Sequence, residues 1–188
     1  MAQAKTLTER DLKRLLDLIR VRKHAWRDRL MLLMTTWAGM RVGEVAALTV
    51  GDVRDAEGRV REEIHLDTTQ TKGRHARTVF LPRKLRDELA KYLIARSPLR
   101  DDQPLFYTQK RAGFSANTLT QHFHYLYRWA GIEGASSHSG RRTFITTLAA
   151  QGVSVRVLAS LAGHHSIATT QAYIDVNDDM KRRAVELV

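Results

Sequence analysis

Residues 136 to 173, SSHSGRRTFITTLAAQGVSVRVLASLAGHHSIATTQAY, concentrate the side chains best suited to an anionic ligand. His138 and Arg141 stand three residues apart at what reads as a helix start, and Ser136 or Ser137 is the expected cap. Free backbone N–H groups and the helix dipole at such a start add to the two side chains. Downstream come Gly163 and His164, then Tyr173 nine residues later, so a second imidazole and a hydroxyl nucleophile are expected on one short helical segment. A phosphate clamp, a proton carrier and a nucleophile are the parts needed to attack a phosphodiester. Each residue also has a plain structural role open to it. His138 suits a helix start, Arg141 a surface charge, His164 and His165 a loop, and Tyr173 a core.

The elements that must position these residues are mostly helical. Residues 7 to 20 read as a helix, with a capping box at Thr6–Glu9 or Thr8–Asp11 and Leu12, Leu15, Leu16 and Ile19 on one face. A second helix spans 25 to 38, with Trp26, Leu30, Leu33, Met34 and Trp37 as a core stripe and Gly39 as its stop. GMRVGEVAALTVGDV then turns into a short helix with Arg41 at the junction. Glu44 lies three residues on, where it can hold the Arg41 guanidinium or form an ordinary helix pair. Between 60 and 81 the period changes to that of strands, with a turn at Lys72-Gly73, so a hairpin is expected with Lys72 near its tip. A lysine there is by itself only a solubilising charge. Helices follow from Pro82 to Arg96 and from Ser115 to Ala130, with a short strand expected at Leu105 to Tyr107. His122 and His124 sit two apart, on different helix faces, which does not suit a metal pair. The tail, 176 to 188, reads as one further short helix. The expected fold class is α+β, mostly α with a small antiparallel hairpin, as a single domain over 1–188.

Composition narrows the partner. Thirty-one Lys and Arg against 20 acids give a net charge of +11, which points to a polyanion, most often nucleic acid. With 43% apolar residues the chain can build a proper core. It has no Cys, hence no disulfide framework or thiolate metal site, and no apolar run near the roughly 20 residues of a membrane span. The N-terminus lacks a signal-peptide core. A reducing, cytoplasmic setting with no membrane partner is the expectation.

Taken together and in order, the boxes resemble those of the tyrosine recombinases, the phage integrase family, over residues 6 to 175. AGMRVGEVAAL is similar to the first box and gives Arg41 and Glu44 their places. The TKG turn resembles the hairpin box and gives Lys72. HSGRRTFIT resembles the His-x-x-Arg box (His138, Arg141), and LAGHHSIATTQAYI the terminal box (His164, Tyr173). Two departures stand out. Many members have Leu and a second His where this chain has Gly140 and Arg142, which leaves Arg142 as a supporting candidate on the phosphate. Ala162 stands where Leu is usual.

The resemblance implies a catalytic-domain fold and a metal-free, cofactor-free cleavage of double-stranded DNA. Tyr173 would form a 3′-phosphotyrosyl link and free a 5′-hydroxyl. Arg41 and Arg141 would hold the two non-bridging oxygens, where planar forks suit the developing charge. His138 would accept the Tyr173 proton, Lys72 would protonate the leaving oxygen, and His164 would hydrogen-bond the phosphate. Strand exchange would need a tetramer on paired sites, with the tail as a docking segment (Met180, Ala184, Leu187). The N-terminal core-binding domain of most integrases has no counterpart before residue 6, so the expectation is either a stand-alone catalytic domain, as in members such as fimbrial-switch invertases, or a fragment of a longer integrase. Two other readings share the fold: a type IB topoisomerase, and a DNA-binding regulator that leaves the chemistry unused.

Overall fold

The computed structural model describes residues 4–71, 73, 75–97, 99–110, 112–174 and 178–186. Helix α1 (Glu9–Arg20) starts at the second of the two expected boxes: the Thr8 hydroxyl accepts from Asp11 N–H, and the Asp11 carboxylate accepts from Thr8 N–H. Its apolar stripe turns Leu15 and Ile19 inward.

Helix α2 (Ala25–Trp37) is the axis of the molecule. Every residue from Leu30 to Thr36 is buried, and α1, α3 (Val42–Ala47), α5 (Arg83–Arg96) and α7 (Ser139–Ala150) all pack on this helix. A helix surrounded in this way needs apolar residues all round, not one stripe. The expected stripe is therefore corrected at its ends: Trp26 is 53% exposed and Trp37 half-buried beneath the Lys84 ammonium. The hydroxyls of Thr35 and Thr36, buried on this helix, donate back to the Leu32 carbonyl, which removes the cost of burying them. Deeper toward the N-terminus, Asp28 is fully buried between Arg27 and Arg22. Burial alone would raise its carboxyl, but His122, then Arg27, hold it down at about 2. His122 Nε2 lies 3.1 Å from Asp28, an ion-pair distance without hydrogen-bond alignment.

Gly39, at φ +63°, breaks α2 and sends the chain into α3, then into the single turn α4 (Val50–Val53), which sequence periodicity did not separate. Strands β1 (Glu63–Leu66) and β2 (Arg77–Phe80) form the expected antiparallel hairpin, pairing Glu63 with Phe80 and Leu66 with Arg77. Helix α5 buries Leu85, Leu89, Tyr92 and Leu93 as expected. No strand forms at 105 to 107. Isolated bridges at Pro104 and Tyr107 anchor a loop there, with Leu105 and Phe106 buried. Helix α6 (Ala116–Trp129) carries a Ser115 cap and buries Leu119, Phe123 and Leu126. The chain then runs through α7, α8 (Val155–Ala162), α9 (Ile167–Gln171) and α10 (Asp178–Val185). The mostly helical class with one two-stranded sheet is the observed fold.

Candidate active site

The site forms where α3, β2, α7 and the end of α8 meet. Arg41 caps α3 while its side chain reaches outward: Nη1 donates to Glu44 at 2.9 Å and Nη2 to the Gly163 carbonyl at 3.1 Å. The second Glu44 oxygen accepts from Arg41 N–H at 2.7 Å. Glu44 is 1% exposed and its remaining capacity is filled by Arg77, whose Nη2 and Nε lie 2.6 and 3.0 Å away. Burial would raise the Glu44 carboxyl, but the hydrogen bond and charge of Arg77, then those of Arg41, keep it below the usual range. Arg141 projects from the first turn of α7, 4% exposed, and donates to the carbonyls of Gly39 and Ala162. Among the described residues it forms no ion pair with a carboxylate. Burial first, then the Arg41 charge, against the opposing charge of Glu44 and with that of Arg77, push its guanidinium down to about 9, still charged at neutral pH.

Three guanidiniums thus grip three successive carbonyls at the end of α8: Arg77 on Leu161, Arg141 on Ala162, Arg41 on Gly163. The negative end of the helix dipole favours cations there. The helix stops at Gly163, left-handed at φ +60°, where Gly163 N–H donates to Ser160 and His164 N–H to Ala159, both at 2.9 Å. A side chain at 163 would also collide with Arg77, because an added Cβ lies 2.6 Å from its Cδ. This stop delivers His164 to the site. Its Nδ1 lies 2.8 Å from the buried Thr170 hydroxyl, and its ring stacks on Tyr173 with centroids 5.8 Å apart. Burial, then Arg141, Arg41 and Arg77, push His164 down to about 4, so it is a neutral imidazole at physiological pH. Tyr173 follows α9, half-buried, with the Arg142 guanidinium 5.5 Å from its ring centre.

Two clefts open on this cluster. One, of about 320 Å³, is lined by Arg41, Arg77, His164 and His165. The other, of about 680 Å³, joins Arg41 to His138.

A sequence model described as "Phage integrase family" matches residues 5–180. The chain belongs to the phage integrase family. Tyrosine recombinase XerA of Pyrococcus furiosus is 32% identical over 186 residues, covering 97% of this chain and 61% of that protein. The XerA of Thermococcus kodakarensis is 33% identical over the same length, covering 62% of it. This integrase-family chain therefore spans less than two thirds of those relatives. A solved XerA recombinase superposes over the whole chain with a TM-score of 0.79 at 28% identity, covering 66% of that molecule. The catalytic domain of bacteriophage HP1 integrase matches 91% of this chain and 87% of itself at TM-score 0.67, and at 24% identity it speaks for the fold alone.

Of the residues expected from this integrase-family sequence, Arg41, Glu44, Arg141, His164 and Tyr173 come together. His138 is exposed as the N-cap of α7 and lines the second cleft. The helix is not capped by a Ser136 or Ser137 side chain. Ser136 Oγ instead accepts from His138 N–H, and Ser136 N–H donates to Ser139. Arg142 bonds the Thr6 hydroxyl at 3.0 Å besides lying over Tyr173. His164 and Tyr173 flank α9 rather than riding within it. Lys72 lies outside the described residues. The residue that periodicity passed over is Arg77. Its signal was the strand alternation: two residues before the buried Val79, it shares the inward face of β2.

Proposed function

We propose that the chain is a single catalytic domain that cuts and rejoins duplex DNA through Tyr173, as a site-specific recombinase. The observation that carries this is Arg141, a buried guanidinium with two carbonyls and no carboxylate ion pair among the described residues, close enough to Arg41 and His164 for their charges to act on one another. A charge buried without a counter-charge costs stability unless a ligand supplies one. A phosphodiester, with two non-bridging oxygens for two forks, is the anion that fits a site that also holds a phenol.

In the reaction, the Tyr173 oxygen attacks phosphorus as its proton passes to His138 at the cleft mouth. The new bond is a 3′-phosphotyrosyl ester, and the 5′-oxygen departs as an alcohol with a proton from Lys72. Arg41 and Arg141 take the charge that develops on the non-bridging oxygens. Neutral His164 has one ring N–H; in the tautomer whose Nδ1 accepts from the Thr170 hydroxyl, that proton sits on Nε2 and can be donated as a hydrogen bond to the phosphate. A 5′-hydroxyl from another strand reverses the step. The ester conserves the bond energy, so these residues complete the cycle on their own. The net charge of +11 supports DNA as the partner, and a protein of the same fold is solved on DNA: the Tn1549 transposon integrase in complex with a circular intermediate DNA superposes over the whole chain with a TM-score of 0.77 at 20% identity.

Recombination between paired sites makes the working form a homotetramer. We assign the tail, 176–188, to docking between protomers. Ala184 is exposed on α10. The Met180 side chain and Leu187 lie outside the described residues. The expected setting is the cytoplasm, at the nucleoid. No helix among the described residues is long and apolar enough to cross a membrane.

The test is covalent trapping on nicked duplexes drawn from the protein's own genomic neighbourhood. Wild type should give a denaturant-resistant protein–DNA band, and Tyr173→Phe should bind equally and give none. A band from the Phe variant overturns the nucleophile. Relaxation of supercoils by a monomer, without exchange between sites, replaces recombinase by topoisomerase. Binding without any adduct leaves the regulator reading.

A further inference from the structure

We infer that Arg77 is a positioning residue that sets how much of the Arg41 charge reaches the phosphate. This role presupposes the proposed function and falls on a residue that the motif boxes do not contain. Glu44 is the pivot. It is a fully buried carboxylate with two claimants, Arg77, whose side chain is 8% exposed, and Arg41, whose side chain is 27% exposed at the cleft. Arg77 takes both carboxylate oxygens in a fork-to-fork contact, while Arg41 takes one through Nη1 and the other through its backbone N–H.

One carboxylate cannot neutralise two guanidiniums. The more buried partner, in the lower dielectric, holds the stronger claim. Arg77 therefore cancels Glu44, and the trio keeps a net positive charge located on Arg41, the member that faces the cleft. With Arg77 removed, the buried carboxylate has only Arg41 to pair with. Arg41 then becomes half of an internal ion pair, drawn toward Glu44 and less available to an anion. Arg77 also spans two elements. Its third contact, from Nη1 to the Leu161 carbonyl at 2.9 Å, fixes β2 to the end of α8, next to the turn that delivers His164. A Lys at 77 can neutralise Glu44, but it lacks the planar fork needed to hold two carboxylate oxygens and a carbonyl together.

The experiment uses the full chain and two readouts. The first is titration with inorganic phosphate, followed by the ring nitrogen resonances of His164. Arg77→Met should weaken phosphate about tenfold or more, and Arg77→Lys should recover most of that loss. The double variant Glu44→Gln/Arg77→Met should bind better than Arg77→Met alone, because no buried carboxylate remains to capture Arg41. A loss due only to damaged packing would not be repaired by the second change. The second readout is single-turnover cleavage at saturating DNA, on a phosphodiester and on a methylphosphonate, in which a methyl group replaces one charged oxygen. Arg77→Met should slow phosphodiester cleavage by about 10- to 100-fold, and the deficit should shrink on the neutral linkage in step with that of Arg41→Ala.

Equal deficits on both linkages, or phosphate affinity equal to wild type, overturn the role given to Arg77. Should Arg77→Met not fold, Arg77→Lys and the double variant decide: a loss of phosphate binding in both overturns the inference. Wild type that neither binds phosphate at His164 nor forms an adduct rejects the proposed function itself. Wild type that does both, with Arg77→Met matching it, rejects only the inference.

Discussion

Arg141 makes its structural bonds to carbonyls, which under the proposed function leaves its charge for a ligand. Arg141→Ala should lower cleavage by about 10²-fold or more at saturating DNA, with a smaller loss of binding, since developing charge is where the guanidinium acts. Single-turnover rates on a nicked duplex measure this, and an unchanged rate removes Arg141 from the site. For His164, folding lowers the pKa from about 6.5 to about 4. Between those values the unfolded chain binds a proton that the folded chain refuses. His164 therefore lowers stability as pH falls through that window and has no such effect above it. Urea melts of wild type and His164→Gln at pH values of about 4.5 and about 7.5 check this. The Gln variant should lose less stability on acidification, and parallel losses would show that His164 does not carry the effect.

At the scale of elements, the legible features were those written in local chemistry. The Thr8 and Ser115 caps, the apolar faces of α5 and α6, the hairpin period and the Gly39 stop are all set by neighbours within a few residues. What could not be read depended on partners far along the chain. Leu30 to Thr36 look like an ordinary helix until four helices surround them. Arg77 looks like a strand-end cation until Glu44, 33 residues earlier, faces it. The site followed the same division, since the spacing of His138, Arg141, His164 and Tyr173 is local but the sharing of Glu44 is not. Gly140 is a further case, a motif position explained by packing. An added Cβ there would collide with the Thr35 hydroxyl on α2. Gly140→Ala should push α7 off α2 and cost about 1–3 kcal/mol of stability, by overpacking of a tight contact. The denaturation midpoint reads it out, and a midpoint equal to wild type would mean that the two helices yield more easily than their contact implies.

Over the whole molecule, charge would govern how the protein meets the proposed partner. A chain of net charge +11 that neutralises about six phosphates should lose roughly 10³-fold or more in DNA affinity between about 50 and 200 mM salt. A salt titration of duplex binding tests this. A flat response would assign the basic surface to solubility.

Three guanidiniums gripping the end of α8 also weigh on the protein when no DNA is bound. Like charges packed this closely, with two of the three sharing one carboxylate, repel one another at all times, yet under the proposed function they are useful only while a phosphate is present. Under the proposed function the free chain would be held in a geometry that suits its ligand better than itself, at a cost in folding stability. DNA-bound protein should melt later than free protein by mass action, and the gain should shrink when Arg141, the cation of the three with no carboxylate ion pair among the described residues, is replaced. Under the proposed function, DNA would be the missing counterion of the fold, completing the charge balance of the chain in the same act that presents a bond to be cut.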